Sequence, residues 1–313
     1  MGRILYIPIG FLLLLPFLAG LAGDAIGPGI LHPARLNPER LQQSEQVLER
    51  TKATREDFAV KTRDNVELRG WKIRAAQPNG DWVLLFHGVA DNRSGVLGAA
   101  EFLLRHGFSV VMMDSPAHGL SGGDMATYGW RERYDTGSIA NTLYANEKVR
   151  HLLALGVSMG AAIALQSAAV EPRIEAVVAE DPFADLREAS YDYAGLRMWV
   201  LLGKTLFRPA AIFALRSMSE AGGFDPHDIS PAKAVVERPF AVLLICGTRD
   251  DTIPCRHAER IYTAATGRKE LWIVSGALHA SALGQDPAGY EKRVIAFFEN
   301  TDGTNQTQTT KPL

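Results

Sequence analysis

Two cysteines in 313 residues are too few for a disulfide framework. Cys246 closes an apolar run and reads as a small buried hydrophobe, and a bridge to Cys255 requires an oxidising compartment. An excess of either charge sign is equally lacking. A net charge of -2 gives no electrostatic case for nucleic acid. There is no H-x-x-x-H and no cysteine–histidine spacing of a metal site. Scattered glycines make neither a P-loop nor a dinucleotide fingerprint, so neither metal nor cofactor is expected. No internal repeat is visible. What remains, 47% hydrophobic and 22% charged residues, is ordinary globular composition.

One long hydrophobic run is present. Arg3 precedes an uncharged, leucine-rich stretch over residues 4–23, and Asp24 is the next charge. Its length approaches the roughly 20 apolar residues that span a bilayer. Residues 1–23 therefore read as a secretory signal or an uncleaved membrane anchor, with the catalytic domain outside the cytoplasm. Pro28, Pro33 and Pro38 mark an extended linker, and residues 41–50 a short helix, so residues 24–56 join the anchor to the body.

From residue 57 the apolar period becomes two. Residues 57–62 and 66–74 flank Arg63-Asp64-Asn65, which predicts a hairpin. Continuous apolar runs at 82–86, 108–114, 151–155, 174–179, 240–247 and 271–274 have the composition of strands buried on both faces. Helical stretches separate them, which implies an α/β fold with a mostly parallel sheet. Residues 191–218 interrupt this rhythm with an apolar, aromatic segment. A helix over 288–299 closes the domain, and residues 300–313 form a polar tail expected to be disordered.

The chemistry centres on Gly156-Val157-Ser158-Met159-Gly160, a G-x-S-x-G pattern. An apolar run precedes it and an alanine-rich stretch follows. A serine on a tight strand-to-helix turn is held in strained backbone with its hydroxyl outward, and side chains at the flanking glycines would collide with strand and helix. A serine hydroxyl also needs a base and an acid that orients the base. In a doubly wound sheet such groups gather at the carboxyl ends of strands. Asp250 follows the run ending at Gly247, and His279 follows the run ending at Val274. The order Ser158, Asp250, His279 is that of an α/β-hydrolase triad. Asp251 and Asp181 compete with Asp250 for the acid.

An oxyanion hole needs two backbone N–H groups. Met159 supplies one as the residue after the nucleophile, and Val89, beyond His87-Gly88, is the candidate for the other. His87, His118 and Ser121 read as braces of tight loops, and residues 129–135 as a helix cap with charge pairing.

On these residues the chain resembles the α/β-hydrolase superfamily, and within it the bacterial serine aminopeptidase-like and prolyl-oligopeptidase-like hydrolases. The stretches 82–88, 114–122, 128–135, 156–160, 181–183 and 247–254 fall in that family's order over most of residues 57–298. The resemblance implies an eight-stranded, mostly parallel sheet with helices on both faces. It also implies a small helical lid at about 183–231 within a domain over 57–299, and acyl transfer by Ser158, His279 and Asp250 without a cofactor. The chain departs from the family in the 114–118 loop, which lacks its usual arginine. It also has Cys246 in place of a histidine, Ala161 in place of a frequent second glycine, and no glycine before His279.

The expected activity is hydrolysis of a carboxylic ester or related acyl bond in a small molecule. The enzyme rival is an aminopeptidase-like serine peptidase, which needs a carboxylate for a free amine, with Glu132 and Asp181 the candidates. A catalytically silent binding protein on the same fold is the reading from another class. An apolar lid containing Leu196, Met198, Trp199, Leu201, Leu202, Leu206 and Phe207 would favour lipid-like acyl groups, unless those residues are core.

Overall fold

In a computed structural model, residues 9–36, 41–194 and 208–302 are described. The hairpin expected from the period of two is β1 (Thr54–Lys61) and β2 (Glu67–Arg74), paired antiparallel through a turn in which Asn65 takes φ 64°. Asparagine tolerates that left-handed conformation better than most residues. Six further strands follow: β3 (Trp82–Phe86), β4 (Ser109–Met113), β5 (Leu152–Val157), β6 (Ile174–Glu180), β7 (Ala241–Gly247) and β8 (Lys269–Val274). The sheet order is β1-β2-β4-β3-β5-β6-β7-β8, parallel everywhere except where β2 meets β1 and β4. This is the expected α/β-hydrolase sheet, eight-stranded and mostly parallel.

Continuous apolar runs make sense because both faces are covered. Along β3, Trp82, Leu84 and Phe86 enter one core with α4 (Glu132–Asn146), α5 (Met159–Val170) and α8 (Pro231–Glu237). Val83 and Leu85 enter the other, with α3 (Leu97–Arg105) and α11 (Pro287–Glu299). Side chains alternate faces along a strand, so each face needs its own apolar set. Helix α5 is buried all round from Met159 to Ala168, its Ala162 facing a third cluster above it. Its alanines let sheet and upper layer both approach closely.

That upper layer contains α6 (Leu186–Ala194) and α7 (Arg208–Gly222), and its cluster joins Phe183, Leu186, Met218, Phe224 and Ile229 to Leu31 and Ile253. The apolar residues 196–207 invoked for the lid lie outside the described residues, as do residues 303–313 of the tail. A short α2 (Leu41–Thr51), α9 (Arg256–Ala264) and α10 (Ala282–Gln285) complete the element order.

At the N-terminus the structure lends the membrane-anchor reading no support. Among the described residues no helix is long and apolar enough to cross a membrane. Helix α1 (Ile9–Ile30) runs through the expected boundary at residue 23 and through the start of the expected linker. It lies along α7 at backbone contact: a Cβ on Gly23 would sit 2.0 Å from the Ala210 carbonyl oxygen, and one on Gly27 2.4 Å from that of Ala214. Asp24, the charge that ended the apolar run, accepts a hydrogen bond from the Ser217 hydroxyl. Gly23 and Gly27 form the seam with α7. Beyond α1, Leu31 is buried and its carbonyl accepts from the Ala126 N–H. Arg35 then donates to the carbonyls of His118, Gly119, Ser121 and Gly123. The proline-rich stretch up to residue 36 is thus a strap over the loop after β4.

Gly23→Leu tests the seam. The clash is with backbone, which no rotamer change relieves, and overpacking of this kind costs about 1–3 kcal/mol. The variant should melt earlier and expose residues 31–36 to protease. Unchanged melting and cleavage would refute the seam.

Candidate active site

Ser158 stands between β5 and α5 with φ 56° and ψ −118°, outside both strand and helix geometry. The turn closes only over glycines. A Cβ on Gly156 would lie 2.2 Å from the Gly160 carbonyl oxygen, and a Cβ on Gly160 would lie 2.2 Å from that of Phe86. The G-x-S-x-G pattern therefore acts here as the sequence analysis argued. Ala161, where a second glycine is frequent, is fully buried without disturbing the elbow.

The two distant residues meet the serine. The ring of His279, in the loop after β8, has Nε2 2.8 Å from Ser158 Oγ and Nδ1 2.7 Å from Asp250 Oδ2. Asp250 sits at the end of β7, and its Oδ1 accepts the N–H groups of Thr252 and Ile253, each at 2.8 Å. These bonds fix the carboxylate and leave Oδ2 for the imidazole. Asp251 is exposed and takes no part. Burial lowers the His279 pKa, but the hydrogen bond and charge of Asp250 lead the contributions that outweigh it, and the net shift is upward from 6.5. A base held in this way has its Nδ1–H tautomer fixed and its imidazolium form stabilised.

The loop beyond β3 runs against the serine, with the Cβ position of Gly88 3.7 Å from Ser158 Cβ. Among the described residues neither the Val89 N–H nor the Met159 N–H has a hydrogen-bond acceptor. His87 and His118 hold this loop. His87 Nε2 accepts the Ser115 N–H at 3.0 Å, and His118 Nε2 accepts the Ala90 N–H at 3.3 Å. Each ring nitrogen that accepts must be unprotonated, and burial agrees: it lowers His87 to about 4, with His118 adding to the effect, and it lowers His118. Ser121 also braces, donating to the Asp114 carbonyl and accepting the Arg69 N–H. The arginine missing from the 114–118 loop arrives from elsewhere: the buried Arg93 guanidinium donates to both oxygens of the fully buried Asp114.

Three features took their form only in the structure. Cys246 and Cys255 are joined as a disulfide, Cα–Cα 5.4 Å, across the base of the loop that carries Asp250. Reading Cys246 as a simple hydrophobe overlooked that the strand end and the start of α9 must lie side by side for this loop to close. Removing a bridge over so short a loop costs about 2–3 kcal/mol. Cys255→Ser should lower the melting temperature accordingly and reduce turnover through Asp250, and equal stability with and without reductant would argue against the bridge.

The second feature is a pair of carboxylates at the end of β6. Glu180 accepts the Ala282 N–H and the Tyr290 hydroxyl, and Asp181 accepts the Ala280 and Gly247 N–H groups. The third is that Glu132 spends both oxygens on the Thr127 N–H and hydroxyl and the Gly129 N–H, fastening the loop before its helix, whose N-terminus has no side-chain cap of the kind expected at 129–135. Ligand atoms of Asp181, Asp250 and His279 come within 4.8 Å of one another. Every one of those carboxylate oxygens already receives an N–H donor, so the cluster is a hydrogen-bonded one rather than an open cation cage.

Residues 77–238, just over half of the chain, match the family described as serine aminopeptidase, S33. The chain belongs to that family. The S33 match covers the elbow and ends before Asp250 and His279, so those two rest on the geometry above. The chain is 28% identical over 261 residues to the uncharacterised protein YqkD of Bacillus subtilis, covering 80% of this chain and 81% of that one. It is 26% identical to the uncharacterised protein YfhR of Escherichia coli O157:H7, covering 78% and 80%. Among solved structures, the Pyrococcus furiosus esterase Pf2001 superposes with a TM-score of 0.70 at 24% identity, over 87% of this chain and 98% of that one. An acylaminoacyl peptidase of Pyrococcus horikoshii gives 0.63 at 15%, over 85% and 45%. At these identities the structures speak for the fold, and an S33 hydrolase is the coarsest activity consistent with all of them.

Proposed function

We propose that this hydrolase cleaves a carboxylic ester through Ser158, His279 and Asp250. The observation that carries the reading is the single imidazole bonded on one side to the serine hydroxyl at 2.8 Å and on the other to a fixed carboxylate at 2.7 Å.

In the reaction, His279 Nε2 removes the hydroxyl proton as Ser158 Oγ attacks the acyl carbon. The carbonyl oxygen becomes an oxyanion held by the N–H groups of Val89 and Met159, reinforced by the positive end of α5. Collapse of that intermediate expels the alcohol, which takes the proton from His279 and leaves an acyl-serine. Water then attacks with His279 again as base, and the acid is released with Ser158 restored.

Ester is preferred over aminopeptidase because of where the acids are. A free amine needs an open carboxylate. Glu132 is consumed by the Thr127–Gly129 loop, and Asp181 is buried beside the triad with both oxygens taken. The peptidase reading keeps the support of the family's description and of the acylaminoacyl peptidase fold neighbour. p-Nitrophenyl esters of graded chain length, set beside aminoacyl p-nitroanilides, separate the two. We expect ester turnover with kcat/KM at least about a hundredfold above that of any anilide, and the reverse order would install the peptidase. The full chain must be used, since removing residues 1–30 would strip α1 from α7. We also infer a catalytic domain outside the cytoplasm, supported by the Cys246–Cys255 bridge, because disulfides persist in oxidising compartments. Fractionation with a cytosolic marker tests that inference.

A further inference from the structure

Asp181 places a second carboxylate within reach of the base. Its side chain is fully buried at the end of β6, next in space to the end of β7 that carries Asp250. Its Oδ2 accepts the N–H of Ala280, the residue after His279, at 2.7 Å. Its Oδ1 accepts the Gly247 N–H at 3.2 Å, tying the base's loop to the acid's loop. The same Oδ2 is 3.9 Å from His279 Nδ1, against 2.7 Å for Asp250. Asp181 and Ala280 both adopt left-handed backbone, φ 49° and φ 55°. Neither is glycine, and such strain is retained where surrounding contacts demand it.

We propose that Asp181 is a second positioning acid for His279, holding the loop of the base and able to accept the imidazole Nδ1–H when Asp250 is lost. This rests on the reading of Ser158, His279 and Asp250 as a triad. In the intact protein, burial and then the charges of Asp250 and Glu180 raise Asp181 to about 8, so it is neutral near pH 7 and avoids two adjacent anions. Loss of Asp250 removes the larger of those repulsions. Asp181 then ionises more readily, and a shift of about an ångström in the imidazole completes the new pair. The groups facing the imidazole are Asp250 from the β7 loop, Glu180 and Asp181 from β6, and Ser158 from the elbow, while the Tyr290 hydroxyl of α11 is spent on Glu180.

The test compares Asp181→Asn in two backgrounds of the full chain, wild type and Asp250→Ala. A triad acid lost without a substitute costs about 10⁴-fold in kcat. With Asp181 in reserve, Asp250→Ala should lose about 10²-fold. Adding Asp181→Asn should cost about a further 10²-fold, whereas Asp181→Asn alone should stay within about tenfold. The acid limb of the kcat/KM–pH profile should move to lower pH on adding Asp181→Asn to Asp250→Ala, because an anion beside the imidazole is lost, and should hardly move in the wild-type background. An equal cost in both backgrounds would mean a purely structural Asp181 and overturn the proposal. So would a full 10⁴-fold loss in Asp250→Ala that Asp181→Asn leaves unchanged. NMR titration of His279, assigned with His279→Gln, reads the same coupling without turnover. Undiminished activity in Ser158→Ala would instead bring down the triad reading, a result distinct from either.

Discussion

Ser158→Ala should lose about 10⁴- to 10⁶-fold in kcat/KM on the best p-nitrophenyl ester while melting close to the wild type. The size follows from what is removed. No other hydroxyl shares the His279 Nε2 contact among the described residues, so nothing replaces the attacking atom. What survives is binding plus the oxyanion donors, which in comparable enzymes still give about 10³–10⁴ over water. A loss of 10⁶ is about 8 kcal/mol of barrier. The backbone strain at φ 56° is shared by serine and alanine, so stability has little reason to change. A fluorophosphonate probe, which requires an activated serine, should label the wild type and leave the variant unmodified. Labelling of the variant, or full activity in it, would remove Ser158 from the chemistry. Absence of labelling in both would return the silent binding protein to the front.

The sheet was legible because burial on both faces writes a simple signal. Runs such as Trp82–Phe86 and Leu152–Val157 have no polar position to misplace, and the hairpin announces itself through Asn65. The elbow was legible because its two glycines are forced by backbone clashes at 2.2 Å, which no other residue avoids. His279 and Asp250 were legible from their position after strand ends. Distinguishing Asp250 from Asp251 needed geometry, since adjacent residues differ only in which one turns inward. The N-terminal run was ambiguous for a physical reason. An apolar helix packed on another helix and an apolar helix in lipid carry the same hydropathy, and the close approach of Gly23 and Gly27 to α7 is written nowhere in it. The Arg93–Asp114 pair was invisible because it joins segments that meet only after the sheet has formed, whereas the Cys246–Cys255 bridge was readable only as conditional on an oxidising compartment.

That pair carries the second large expectation. Arg93→Met should cost about 3–5 kcal/mol of stability, because it leaves the Asp114 carboxylate fully buried without its cation. Asp114 is more than a partner for one guanidinium. Its Oδ1 also accepts the Arg93 backbone N–H and its Oδ2 the Leu120 N–H, at 2.7 and 2.8 Å, so one carboxylate organises the turn after the Val89 loop and the loop after β4. Those two loops are the ones that His87 and His118 stitch together. Loosening them should displace the Val89 N–H, the oxyanion donor proposed above, and loss of one such donor costs about 10²–10³ in kcat. A fall of about tenfold or more in kcat, with KM little changed, is therefore expected alongside the lower melting temperature. The double variant Arg93→Met/Asp114→Leu supplies the control, since replacing both members of a buried ion pair by apolar groups is far less costly than orphaning one. It should regain much of the stability. It should not regain kcat, because an isobutyl group in place of the carboxylate cannot hold the two backbone amides, those of residues 93 and 120, that set the oxyanion loop. Recovery of both would separate this loop from catalysis and leave Met159 as the oxyanion donor that matters.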